Sequence, residues 1–131
     1  MSEKSVMDTP VSWSDAETTL AEIGSAIAAF NAEREWGQFH SPRNLAMALS
    51  VESAELLELY LWCEDGGPQP AVASRRPRVA EEAADVLICL LNLAAHAQID
   101  LSAAVQAKLA KNAEKYPSAR ARGRMEKSDE L

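Results

Sequence analysis

Between residues 14 and 115 the apolar positions of this chain recur every three or four residues, the spacing of one face of an α-helix. Leu20, Ile23, Ile27 and Phe30 set the first such face, and Ser14 with Glu17 three residues on makes a capping box ahead of it. This predicts a helix over residues 14–34. Trp36, Gly37, Gln38, Phe39 and His40 follow as an aromatic connector. Ser41 and Pro42 then supply an N-cap and a proline at the first helical position, so a second helix is predicted over 42–63. Residues 65–77 hold two glycines and three prolines without apolar period, which predicts a loop. A third helix is predicted over 78–97, and its 86–95 run is apolar almost all round and must be covered on every side. Asp100 caps a fourth helix carrying Leu101, Val105 and Leu109 to about Lys115, before Pro117 stops it. Residues 1–13 lack periodicity and are expected to be disordered. Residues 118–131, with Arg120, Arg122 and Arg124 and an acidic end, read as a mobile tail. Strand patterns are nearly absent. The expected fold is all-α, a four-helix bundle over residues 14–117.

Two carboxylate steps break the apolar stripes. Glu52 and Glu55 share a face with Leu45, Leu49, Leu56 and Leu59, while Glu82 and Asp85 share one with Val86, Cys89 and Leu93. Residues three apart on a helix stand about 60° from each other, so each pair points one way, toward the position of the core. Withdrawing an ionised carboxylate from water costs on the order of several kcal/mol unless something compensates it, and no Lys or Arg lies in those stripes. A hard divalent cation is the natural counter-charge, because Mg²⁺ takes a few carboxylates plus water and phosphate oxygens. Surface glutamates on ordinary helices are the competing explanation, which two copies on the apolar face make the weaker one. Leu57, Leu61, Leu87 and Leu91 point away from the carboxylates. Four helices can hardly cover that second apolar face, and a homodimer or a dimer of dimers (a homotetramer) is expected.

The composition belongs to a globular chain: 131 residues, 47% hydrophobic and 25% charged. Its net charge of −7 argues against generic nucleic-acid binding and leaves an anionic substrate needing a metal to approach. The polar N-terminus has no signal-peptide core, and no apolar stretch nears the ~18 residues of a membrane span. Cys63 and Cys89 lack metal-ligand or secretory spacing, as expected of reduced thiols in a cytoplasmic protein.

Further side chains admit two readings. Lys108, Asn112 and Lys115 share one stripe of the last helix, with Tyr116 next. They could grip phosphate oxygens, but lysines near a helix C-terminus are ordinarily a solvated face favoured by the macrodipole. Trp36, His40 and Trp62, with Phe39, could stack on and bond a nucleobase or simply pack, and Trp13 reads as packing. His96 follows Asp85 by eleven residues, about 16 Å along a helix, and cannot share a metal with it; both acidic steps also end in a carboxylate where di-iron bundles use Glu-x-x-His. There is no glycine-rich phosphate loop and no nucleophile elbow.

The Glu-x-x-Glu of residues 51–56 (VESAEL) and the Glu-x-x-Asp of 81–86 (EEAADV) resemble the signature of the MazG-like all-α nucleoside triphosphate pyrophosphohydrolases. FNAEREWGQFHSPRNL over 30–45 and KLAKNAEKYP over 108–117 are similar to the dCTP pyrophosphatase branch, so the likeness runs from about residue 20 to 117. It implies a hydrolase acting on a phosphoric anhydride: Mg²⁺-dependent cleavage of a (d)NTP, dCTP or a modified dCTP first, to monophosphate and pyrophosphate, with Mn²⁺ as a substitute metal. By that resemblance Glu52, Glu55, Glu82 and Asp85 hold metal, Glu55 also directs the attacking water, Lys108, Asn112, Lys115 and Tyr116 bind the triphosphate, and Trp36, His40 and Trp62 face base and sugar. The dCTP branch tends to carry an aromatic where Cys89 stands and often an arginine where Lys115 stands. A relative acting on dUTP or phosphoribosyl-ATP, and a non-catalytic helical interaction module, are the alternatives.

Overall fold

The computed structural model describes residues 12–61 and 70–131, without the side chains of 70–73. Among the described residues the fold is all-α: α1 (Leu20–Glu33), a 3₁₀ turn (Trp36–Phe39), α2 (Pro42–Glu58), α3 (Pro70–His96), α4 (Leu101–Lys115) and a single-turn α5 (Ser118–Ala121). α2 and α3 form the principal pair, and α1 lies against α3. Leu45 and Leu59 from the α2 segment and Leu91 and Ala94 from α3 are the buried core. Burial of Leu91 corrects the expectation that it is surplus apolar surface: with Gly24 and Ile27 it lines a small cavity between α1 and α3. Leu57 and Leu61 do remain exposed.

α1 starts six residues later than predicted. Ser14-x-x-Glu17 and Thr19-x-x-Glu22 both satisfy the capping-box pattern, and the second is the one used. The Thr19 hydroxyl accepts from the Glu22 N–H at 3.2 Å, and the Glu22 carboxylate accepts from the Thr19 N–H at 2.7 Å. Ser14 instead closes a separate turn, its carbonyl accepting from the Thr18 N–H at 2.8 Å. Thr19→Ala is therefore expected to cost about 1 kcal/mol of stability by thermal or urea unfolding, and Ser14→Ala almost nothing. Equal effects would contradict this start.

α2 begins as predicted, with Ser41 as N-cap and Pro42 at the first position, but it ends at Glu58 in a turn over 59–61. The predicted loop fails over residues 70–77, which form the first two turns of α3 with Pro77 inside the helix. An interior proline removes one helical hydrogen bond. Here the early turns are tied to the neighbouring helix, since the Arg75 guanidinium donates to the Leu59 carbonyl at 2.8 Å. The N-terminal residues 1–11, the loop residues 65–69, Trp62 and Cys63 lie outside the described residues.

α4 matches its prediction at both ends, with Asp100 accepting from the Ala103 N–H at 2.9 Å. Its direction is less expected: it leaves α3 at 98°. Gln98 holds the left-handed φ of 56° at the bend, and the Ile99 and Gln98 N–H groups return to the Ala94 and Ala95 carbonyls at 2.8 and 3.2 Å. This is a Schellman closure with glutamine where glycine is usual. Val105 and Leu109 on α4 are consequently 56% and 63% exposed. The segment read as a mobile tail carries α5, and the Arg120 guanidinium donates to the Leu131 carbonyl. No single helix among the described residues is long and apolar enough to cross a membrane; α3 and α4 qualify only as a bent pair.

Candidate active site

Glu52 lies on the stripe of α2 that carries Leu45, Leu56 and Leu59, one turn before Leu56 and two turns from each of the other two, and meets Glu82 and Asp85 from α3. One oxygen from each of the three carboxylates lies within 4.8 Å of the others. The Glu52 Oε2 atom is shut off from solvent and has no hydrogen-bond partner. Glu55, exposed at the edge, stands outside that trio, and its charge acts on both Glu52 and Glu82. Burial first, then the Glu55 and Asp85 charges, push the Glu52 carboxyl up from its ordinary 4.5. The Glu82 carboxyl is raised by the same three causes, with Arg78 one turn back pulling the other way. Glu58 is exposed and stands apart.

An anionic cluster with an unpartnered buried oxygen carries more negative charge than Arg78 at its edge offsets. Its donors are all carboxylate oxygens, which suit a hard divalent ion such as Mg²⁺ or Mn²⁺ and not a thiolate- or imidazole-seeking one. The residues present therefore fit a divalent cation held by Glu52, Glu82 and Asp85, with Glu55 beside it.

Glu52 and Asp85 also line a cavity of about 790 Å³ between α1, the 3₁₀ turn, α2 and α3. Trp36, Phe39 and His40 are in its wall. The connector holds its shape through several short-range contacts. The Phe30 ring meets Trp36 edge-on with centroids 5.6 Å apart, the Arg34 guanidinium covers Phe30 at 3.5 Å, and the Asn44 amide donates to the Phe39 carbonyl at 2.9 Å. Cys89 lines the cavity too; burial, with Glu52 and Asp85 nearby, pushes its thiol up, which keeps it protonated and unreactive.

Trp13, read from sequence as packing, is 50% exposed and belongs to the cavity wall. Its position outside any periodic stretch was the available signal, since an aromatic with no helix face of its own needs a neighbour's. Asn31 and Asn92 were likewise missed; a polar residue on an otherwise apolar face, the sign that found Glu52, marks both.

The phosphate candidates are placed differently. Lys108 and Lys115 are exposed, Asn112 and Tyr116 half-buried, and none of the four lines the cavity. The Lys115 ammonium stands 5.7 Å from the Tyr116 ring. Within one chain, then, Trp36 and His40 join the carboxylates and α4 does not bring its cations to that wall.

A family model described as the MazG-like family matches residues 47–131, a stretch containing all four carboxylates and α4. The dCTP pyrophosphatase 1 of Homo sapiens is 48% identical over 117 residues, covering 88% of this chain and 69% of the human protein. That of Bos taurus is 47% identical over 116 residues, 87% of this chain and 68% of its own. The crystal structure of a pyrophosphatase from Archaeoglobus fulgidus has a TM-score of 0.73 at 36% identity, covering 81% of this chain and 99% of that one. With its acidic cluster on the two helices that match, the chain belongs to the MazG-like family.

Proposed function

We propose that this chain is a divalent-metal-dependent nucleotide pyrophosphohydrolase that cleaves dCTP, or a modified dCTP, to the monophosphate and pyrophosphate. The observation that carries the reading is the meeting of the Glu52, Glu82 and Asp85 oxygens on the wall of an aromatic-lined cavity of about 790 Å³. Identity of 45–48% to four mammalian proteins named dCTP pyrophosphatase 1 supports the substrate. A free Cys89 thiol suits a reducing, cytoplasmic compartment.

Glu52, Glu82 and Asp85 would hold Mg²⁺, which when bound would supply Lewis acidity toward the phosphate oxygens and lower the pKa of a coordinated water. Glu55, exposed beside that trio, is free to orient the attacking water and take its proton. Trp36, with Trp62 outside the described residues, offers ring faces for the base, and His40 a donor for base or sugar. Lys108, Asn112, Lys115 and Tyr116 bind the triphosphate in an assembled dimer or dimer of dimers, where α4 of one copy reaches the site of another. The support for that assembly is the apolar surface a single chain leaves open. Met47, Val51 and Leu57 on α2 and Val105 and Leu109 on α4 are each more than half exposed.

The test is product analysis with Mg²⁺ over canonical and modified dNTPs, dUTP and phosphoribosyl-ATP. Pyrophosphate and dCMP from dCTP are expected. Orthophosphate would mean that a different bond is cut, and no turnover of any nucleotide would favour a non-catalytic interaction module.

A further inference from the structure

Asn31 on α1 donates through Nδ2 to the Asn92 Oδ1 on α3 at 2.9 Å, joining residues 61 apart in sequence. Both are half-buried, and both line the large cavity beside apolar neighbours such as Ile27 and Leu45. The bond uses one donor and one acceptor. The Asn31 Oδ1 and the Asn92 Nδ2 have no protein partner among the described residues, and neither is sealed from solvent as the Glu52 oxygen is. A tie between two helices needs no such surplus, because an apolar pair of similar shape would serve stability about as well. Asn92 lies seven residues from Asp85, about 10 Å along the axis of α3. That spacing leaves room for a sugar and an α-phosphate between the amides and the carboxylates.

We infer that Asn31 and Asn92 together read the base, the Asn31 carbonyl accepting from the exocyclic amine of cytosine and the Asn92 amide donating to its ring N3. This rests on the nucleotide pyrophosphohydrolase reading and adds what selects the base. An acceptor beside a donor complements the amino edge of cytosine, as single asparagine amides complement the like edge of adenine. It opposes the keto edge of uracil or thymine, where donor and acceptor are exchanged, and a mismatched polar edge leaves buried groups unpaired. Adenine shares the amino edge and is separated by ring size, not by the pair.

Pyrophosphate release with Mg²⁺ is measured for the full chain and for the double variant N31A/N92A on three substrates: dCTP, dUTP and the 2-pyrimidinone deoxynucleoside triphosphate that lacks the 4-amino group. The unmodified chain is expected to prefer dCTP about tenfold or more in kcat/KM over both others. In the variant, shown folded by its melting curve, the preference collapses to within about twofold, chiefly by a loss on dCTP. An unchanged dCTP to dUTP ratio in the folded variant overturns the inference, since a merely structural pair would slow all substrates alike. So does equal turnover of dCTP and the pyrimidinone by the unmodified chain, a result independent of how the variant folds. A dUTP preference that the variant abolishes also overturns it, because both amides would then be reversed. If the unmodified chain hydrolyses no nucleotide, the activity itself falls, a failure distinct from loss of selectivity.

Discussion

Glu52→Gln is expected to lower pyrophosphate release from dCTP by roughly 10³-fold while the melting temperature holds or rises. The two halves of the expectation have one cause. Glu52 is the carboxylate placed deepest in the apolar stripe, with Oε2 sealed off and unpartnered, so its negative charge is tolerated only if a cation meets it. Glutamine keeps the shape and removes the charge. The group loses an anionic ligand, and the folded state loses a desolvated charge facing three others. An ordinary core glutamate held by a basic partner would behave in the opposite way, leaving an unpaired cation and a less stable fold. Glu58→Gln, on the exposed side of the same helix, is the matched control and leaves the rate unchanged. Retention of more than a tenth of the activity by Glu52→Gln would remove the metal assignment, and a cooperative loss of structure would show that the charge has a partner.

How far the chain could be read before folding depends on the range of the interaction involved. Ser41 with Pro42, Asp100 and Pro117 mark helix ends by chemistry confined to three or four residues, and α2 and α4 start where those residues put them. Glu52, Glu82 and Asp85 were legible because burial against charge is a conflict that periodicity alone exposes. Ser14 and Thr19 present the same local pattern, so the start of α1 was decided by which box the tertiary fold could use. The first turns of α3 depend on Arg75 reaching the Leu59 carbonyl sixteen residues away, a contact no window around Pro77 contains. The bend at Gln98 was hidden for a related reason. Glycine would have announced a left-handed residue, whereas glutamine adopts it only because the closure onto Ala94 compensates. Trp13, Asn31 and Asn92 became wall residues through the angles at which the helices cross, and those angles are not written in any one segment.

Without divalent metal, the acidic cluster should make the fold less stable as the pH rises from about 4.5 toward neutrality, and Mg²⁺ should reverse the trend. Glu52 and Glu82 both have carboxyls raised above 4.5, by burial first and by Glu55 and Asp85 next. The folded chain therefore holds protons there that the unfolded chain has released. A raised carboxyl contributes stability that is fully present below the unfolded value and is lost as the pH climbs through the folded one. Glu22 titrates in the other sense, since its bonds from the Thr19 N–H and hydroxyl hold it below 4.5; its contribution is present above that value and fades as the pH falls. The clean comparison is thus between the unmodified chain and a Glu52→Gln, Glu82→Gln variant, both freed of metal, with melting followed from pH 4 to 8. The variant should gain on the unmodified chain steadily above pH 4.5. Addition of Mg²⁺ at 100 times its dissociation constant should raise the unmodified chain by about 2.7 kcal/mol, a shift of about 10 °C, and leave the variant still. Parallel curves together with no Mg²⁺ response would mean that the four carboxylates are ordinary solvated acids.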